Sequence, residues 1–184
     1  MTRRAVAGLL LLLTACGGAA RAIAIPSDEI PFSLARSSIS PPPVTATGPF
    51  TLAFVRRGRL VDVTRQLGSR EPVDSVLTAL LDGPTSREDA RGITSEIPPQ
   101  TRLLTESVTG GVIQVNLSRE FQGAGSSQSA LLRVAEVVRT LTSLKGVAFV
   151  RFQIDGVFVS VPTDQGVVDR PVGSSDYASV RPEP

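Results

Sequence analysis

Three tight-turn signals, Arg57-Gly58, Gly110-Gly111 and Asp155-Gly156, each stand between short runs of alternating apolar residues. A two-residue connection that accepts positive φ is a strong local cue for a β-hairpin, because its twist matches that of the flanking strands. The first hairpin is expected over 50–55 and 60–64, where Leu52 alternates with Phe54 and Val61 with Val63. The second joins 103–108 to 112–117, with Ile113, Val115 and Leu117 sharing one face. The third joins 147–154 to 157–161 through Asp155-Gly156.

Helical patterns separate these hairpins. Val73, Val76, Leu77, Leu80 and Leu81 recur at helical spacing after Pro72, which suits a first helical position, and Gly83-Pro84 stops the run. Residues 86–91 can add one polar turn, and Pro98-Pro99 forces an extended approach to the next strand. A longer helix is expected over 128–144. Leu131, Val134, Val138 and Leu141 form its predicted buried stripe; Arg133, Glu136, Arg139 and Ser143 fall on the predicted solvent face, with Glu136 placed to pair with either arginine. The order ββαββαββ implies an α+β fold: one mixed or mostly antiparallel sheet with both helices on one face.

Ahead of the folded part stands Cys16, the only cysteine. It closes the run Leu13-Thr14-Ala15-Cys16 after Arg3-Arg4 and the apolar stretch 5–13. That stretch is about half the roughly 20 residues that a membrane-spanning helix needs. A charged n-region, a short apolar h-region and a small-residue cleavage site define a leader, and the final four residues have the form of a lipobox. Residues 1–15 are therefore expected to be a lipoprotein signal peptide. Cys16 is the expected lipidation site, 16–49 a Pro- and Gly-rich linker, 50–178 the domain, and 179–184 a flexible tail. Within the linker, Ile25-Pro26 and Ile30-Pro31-Phe32-Ser33-Leu34 carry apolar surface for docking. Loss of Arg3 and Arg4 with the leader leaves basic and acidic residues equal in number, which argues against a nucleic-acid footprint.

The catalytic inventory is poor. The chain has no histidine, removing the commonest general base and metal ligand near neutral pH. A lone cysteine excludes a disulfide framework and, once acylated, thiolate chemistry. Neither a GxSxG elbow nor an SxxK motif occurs. Neither a cofactor nor a metal is expected. Two features remain as binding candidates. Arg56, Arg57 and Arg59 cluster at the first turn, where they can meet an anionic lipid head group, an acidic envelope polymer or a partner, or serve only as a solvated turn that keeps a sheet edge soluble. Gly123-Ala124-Gly125-Ser126-Ser127 leads into the long helix; it lacks the third glycine of GxGxxG, so helix capping by Ser126 or Ser127 is the stronger reading.

Several segments also resemble one family. Leu80-Leu81-Asp82-Gly83-Pro84-Thr85 resembles the LLxGPT segment of the GerMN domain. The run 97–104, Ile-Pro-Pro-Gln-Thr-Arg-Leu-Leu, and the run 112–121, ending Asn116-Leu117-Ser118-Arg119-Glu120-Phe121, resemble its core, and 150–156 resembles its closing hairpin. Gln100 stands where the family often has glycine, and Asn116 where it often has aspartate. The resemblance implies one copy of a compact domain with helices packed on a sheet, similar to ring-building motifs of envelope assembly proteins. It also implies export, a lipid or membrane tether, and no established catalytic residues. The expectation is a non-catalytic interaction module, held on the outer face of the cell membrane by a diacylglyceryl lipid and binding an envelope protein. The alternative is a binder of an envelope polymer or small anionic ligand.

Overall fold

The structure is a computed structural model that describes residues 48–67 and 72–182. The leader, Cys16 and most of the expected linker lie outside the described residues. The elements are β1 (Gly48–Arg56), β2 (Arg59–Leu67), α1 (Pro72–Leu81), α2 (Ser86–Asp89), β3 (Leu103–Thr109), β4 (Val112–Leu117), α3 (Ser127–Thr142), β5 (Phe149–Ile154), β6 (Val157–Phe158), β7 (Val161–Thr163) and β8 (Gly166–Val168). Short 3-10 turns occupy Arg119–Gln122 and Ser174–Val180. The class is α+β, as the alternation of hairpins and helices implies.

All three expected turns form. Arg57 and Gly58 sit at φ 53° and 75°, Gly110 and Gly111 at 58° and 80°, Asp155 and Gly156 at 46° and 82°. Strands β3 to β6 make a mixed sheet in the order β3-β4-β5-β6, antiparallel except for the parallel β4–β5 pair. A parallel pair needs a crossover, and α3 supplies it between those two strands. One face carries Ile113, Val115, Leu117, Val150, Phe152 and Ile154, all buried. Phe121 stacks on Phe152 with ring centroids 5.9 Å apart.

The first hairpin does not join that sheet; β1 and β2 form a two-stranded sheet of their own. The outer edge of β1 is taken by other groups instead. Ala53 N–H donates to the Thr140 hydroxyl on α3 at 2.9 Å. Val55 exchanges both backbone bonds with Thr94, and the Ser143 hydroxyl reaches the Thr51 carbonyl at 3.3 Å. Consequently Leu52, Ala53, Phe54 and Val55 are all buried, where alternation predicts only one inward face.

The solvent face assigned to α3 is also corrected. Nine residues of this helix are buried, including Arg133, Glu136 and Thr140, because α1, the hairpin, the main sheet and the last 3-10 turn all contact it. A helix buried on most sides can keep polar residues only where each finds a partner. Arg139 alone among the charged residues on that face makes an ion pair, and with Asp62 rather than with Glu136.

Two more strands and a 3-10 turn follow β6, none of them expected from periodicity. Tyr177, 2% exposed, donates its hydroxyl to the Pro162 carbonyl at 3.0 Å. Val180 is buried, and Ser179 bonds Asp164 through both its N–H and its hydroxyl. Residues 179 and 180 therefore belong to the packed domain rather than to the expected tail.

Candidate functional site

The motif residues 80–85 end α1 and begin α2, and one side chain explains their arrangement. Gly83, at φ 80°, reverses the chain, and Thr85 caps α2 in a reciprocal box with Glu88. Arg65 on β2 reaches across to this corner. Its guanidinium donates to the Ala79 carbonyl at 3.1 Å, the Gly83 carbonyl at 3.0 Å and both oxygens of Glu88, while lying 5.1 Å from the Phe54 ring centre. Burial alone would raise the Glu88 carboxyl, but the bonds from Arg65 and Thr85 together lower it.

A second polar knot sits beside α3. Glu136 has no exposed surface; its Oε1 accepts the Glu96 N–H at 2.7 Å and its Oε2 accepts the Ser95 hydroxyl at 2.8 Å. Burial pushes its pKa up to about 8; those two bonds oppose the shift, and the nearby Glu96 charge adds to it. Arg133 donates to the carbonyls of Glu96, Phe121 and Gly123 at 2.9, 2.8 and 3.0 Å. The Ser129 hydroxyl bonds the Glu96 carboxylate. This knot pins the Gly-Ser loop, which is capped into α3 by Ser126 accepting the Ser129 N–H at 3.1 Å. A Cβ at Gly123 would lie 2.8 Å from Pro98 Cγ, so that position admits only glycine without movement. The loop is held as a structural joint, in line with the capping reading.

The departures from the family pattern also acquire reasons. Gln100 has φ 76°, a left-handed conformation that costs a side chain roughly 1 kcal/mol and costs glycine nothing. The Asn116 carboxamide oxygen accepts the Gly156 N–H at 2.9 Å, fixing the last turn, and a carboxylate oxygen would accept the same bond.

The three arginines of the first turn separate. Arg57 occupies the turn itself. Arg59 turns toward the C-terminal segment and donates to the Ser179 carbonyl at 3.2 Å. Arg56 faces a groove of about 650 Å³ whose lining includes Asp62, Arg87, Glu88 and Arg91. Sequence reading missed Arg87 and Arg91; their i, i+4 spacing around α2 was the available signal.

The outward face of the main sheet is the other open surface. Gln114, Arg151 and Gln153 lie on it, with the Gln114 and Gln153 carboxamides bonded at 3.1 Å. Phe158 and Phe149 stand 50% and 45% exposed, and Arg151 stacks 5.0 Å from the Phe158 ring centre while pairing with Asp169. A shallow hollow of about 210 Å³ lies between Ser107, Gln114, Arg151, Phe158 and Pro171. Among the described residues, none of the helices is long and apolar enough to cross a membrane, and no cluster of His, Cys, Asp and Glu could hold a metal ion.

This arrangement, a hairpin and a mixed four-stranded sheet clasping one buried helix, defines a small α+β domain of known type. The family described as sporulation and spore germination (Germane) matches residues 44–160, more than half of the chain, and the chain belongs to that family. Solved structures agree. The first GerMN domain of the sporulation protein GerM from Bacillus subtilis superposes with a TM-score of 0.57 at 18% identity, covering 71% of this chain and 100% of that one. The tandem GerMN domains of the same protein give 0.55 at 19%, covering 76% of this chain; this chain spans only 46% of theirs. A proposed lipoprotein from Clostridium perfringens gives 0.51 at 15%, covering 73% and 94%. At such identities the likeness is one of fold. No curated protein matches the chain.

Proposed function

We propose that the chain is a lipid-anchored, non-catalytic interaction module of the cell envelope. A diacylglyceryl group on Cys16 would hold it at the outer face of the cytoplasmic membrane, where the domain would engage a membrane or cell-wall protein. The observation that carries the reading is the uncovered outer face of β3 to β6. Phe149 and Phe158 stand exposed there beside Arg151 and a fringe of Gln and Thr side chains. Exposed apolar side chains rimmed by polar ones mark protein contact surfaces, and aromatic residues and arginine are the residue types that dominate their energetics. Family membership and the lipobox-like run ending at Cys16 support the envelope setting.

A photo-crosslinking residue at position 158 tests the surface in living cells, with one at 145 as control. A discrete protein adduct from 158 and none from 145 is expected. Equal labelling, or none from 158, removes the sheet face from consideration. The anchor is tested separately by Cys16→Ser, which should leave uncleaved precursor without fatty-acid label. Normal maturation and lipid partitioning of that variant would overturn the tether.

A further inference from the structure

We infer that the groove between β2 and α2 binds a linear polymer carrying phosphate along its chain, gripped by Arg56, Arg87 and Arg91. The site is independent of the sheet face assigned above and rests on how the fold sorts its charges. Two acids line the groove, Asp62 and Glu88, and both are already neutralised. Arg139 holds Asp62 through two bonds of 3.2 and 2.6 Å, and Arg65 holds Glu88. The remaining acid of α2, Asp89, turns to a separate cleft beside Asp82. The three groove arginines are exposed and, among the described residues, none is paired with a carboxylate.

Such a cluster is unfavourable when empty, since like charges one helical turn apart repel. A ligand therefore has a charge imbalance to relieve. A single exposed ion pair changes affinity by less than about tenfold, so one isolated phosphate would gain little and several contacts must act together. The cations approach from both walls, Arg56 from the hairpin and Arg87 and Arg91 from the helical corner. A phosphodiester presents anionic oxygens to both sides at every repeat. An acidic peptide strand sends alternate side chains to opposite faces and leaves neutral backbone between them. Phosphate also matches the planar fork of arginine, and the groove contains no lysine. A bilayer surface is flat and would not enter a concave site.

Fluorescence anisotropy of dye-labelled long-chain polyphosphate with the detergent-solubilised full chain tests this. Salt-sensitive binding is expected. The triple Arg56→Gln, Arg87→Gln, Arg91→Gln should lose about tenfold or more in affinity through the summed contacts. A charge-matched triple on other surfaces, Arg102→Gln, Arg119→Gln, Lys145→Gln, should lose far less. Replacing the groove arginines with lysine keeps charge and fold while removing the forks, and should recover only part of the binding. Equal losses in the two glutamine triples, full binding by the lysine triple, or no binding at all would overturn the site. Tighter binding of labelled polyglutamate or of phosphatidylglycerol vesicles would overturn the phosphate-polymer assignment. The position-158 adduct should persist in the groove triple, which separates failure here from failure of the protein-contact reading.

Discussion

Arg133 and Arg91 show what the same side chain does in two regions. Beside α3, Arg133 is 5% exposed and its donors are used by three backbone carbonyls. In the groove, Arg91 is exposed and the acids near it are bonded elsewhere. The first region converts charge into connection: a helix, the 95–97 segment and the Gly-Ser loop share one knot. The second leaves charge unspent at the surface. Arginine content alone therefore says little about binding; the bookkeeping of partners decides it.

The sharpest way to break the contrast is Arg133→Met. It leaves three partly or wholly buried carbonyls without their donor, and at about 1 kcal/mol or more for each the domain should lose roughly 3 kcal/mol. Chemical denaturation of the domain would read this directly, and a loss well under 1 kcal/mol would make the knot as dispensable as the groove. A smaller, pH-dependent effect comes from Glu136. Its folded pKa of about 8 lies above its ordinary 4.5, so the folded protein keeps a proton that the unfolded chain releases. That contribution is fully present below about pH 4.5 and is lost as the pH rises toward about 8. The Glu96 carboxylate and the Arg133 guanidinium are the charged groups that act on the same carboxyl, the first raising its pKa and the second lowering it. Melting curves between those limits should fall more steeply for the native chain than for Glu136→Gln, and parallel curves would remove Glu136 as the source. The smallest effect belongs to the groove, where Arg91→Gln should change stability by less than about 0.5 kcal/mol, as a surface substitution does. A larger loss would mean that Arg91 holds the fold after all.

The hairpins were legible because turn chemistry is local: Asp155-Gly156 and Gly110-Gly111 announce their backbone angles in two residues. The α1 stripe was legible for the same reason. What escaped was anything decided by a distant partner. Glu136 reads as solvent-facing because its periodicity places it opposite Leu141's neighbours, and only the arrival of Ser95 and the Glu96 amide makes its burial tolerable. Ala53 looks like an outward position until α3 covers that strand edge. The short β7–β8 pair and the 3-10 turn around Tyr177 carry no periodic signal long enough to register. At the candidate site the turn arginines were visible as a cluster, yet the fold sends Arg59 away and brings Arg87 and Arg91 in, from a segment with only a polar turn to recommend it.

The hydroxyl of Thr140 that covers the edge of β1 also sets an order of events. It and the Ala53 amide it serves are 87 positions apart in the chain. The hairpin can close as soon as its own residues are free and Thr94 can then pair with Val55, but the flank at Thr51 and Ala53 stays bare until α3 has been made, has formed and has docked. An uncovered strand edge is a template for pairing with any other extended chain, and closing so long a loop is slow compared with making a turn. A strand that buries four consecutive residues, Leu52 to Val55, is thus exposed early and protected late. That interval is when the nascent chain most needs an escort, and when a variant that weakens α3 would first be lost to aggregation.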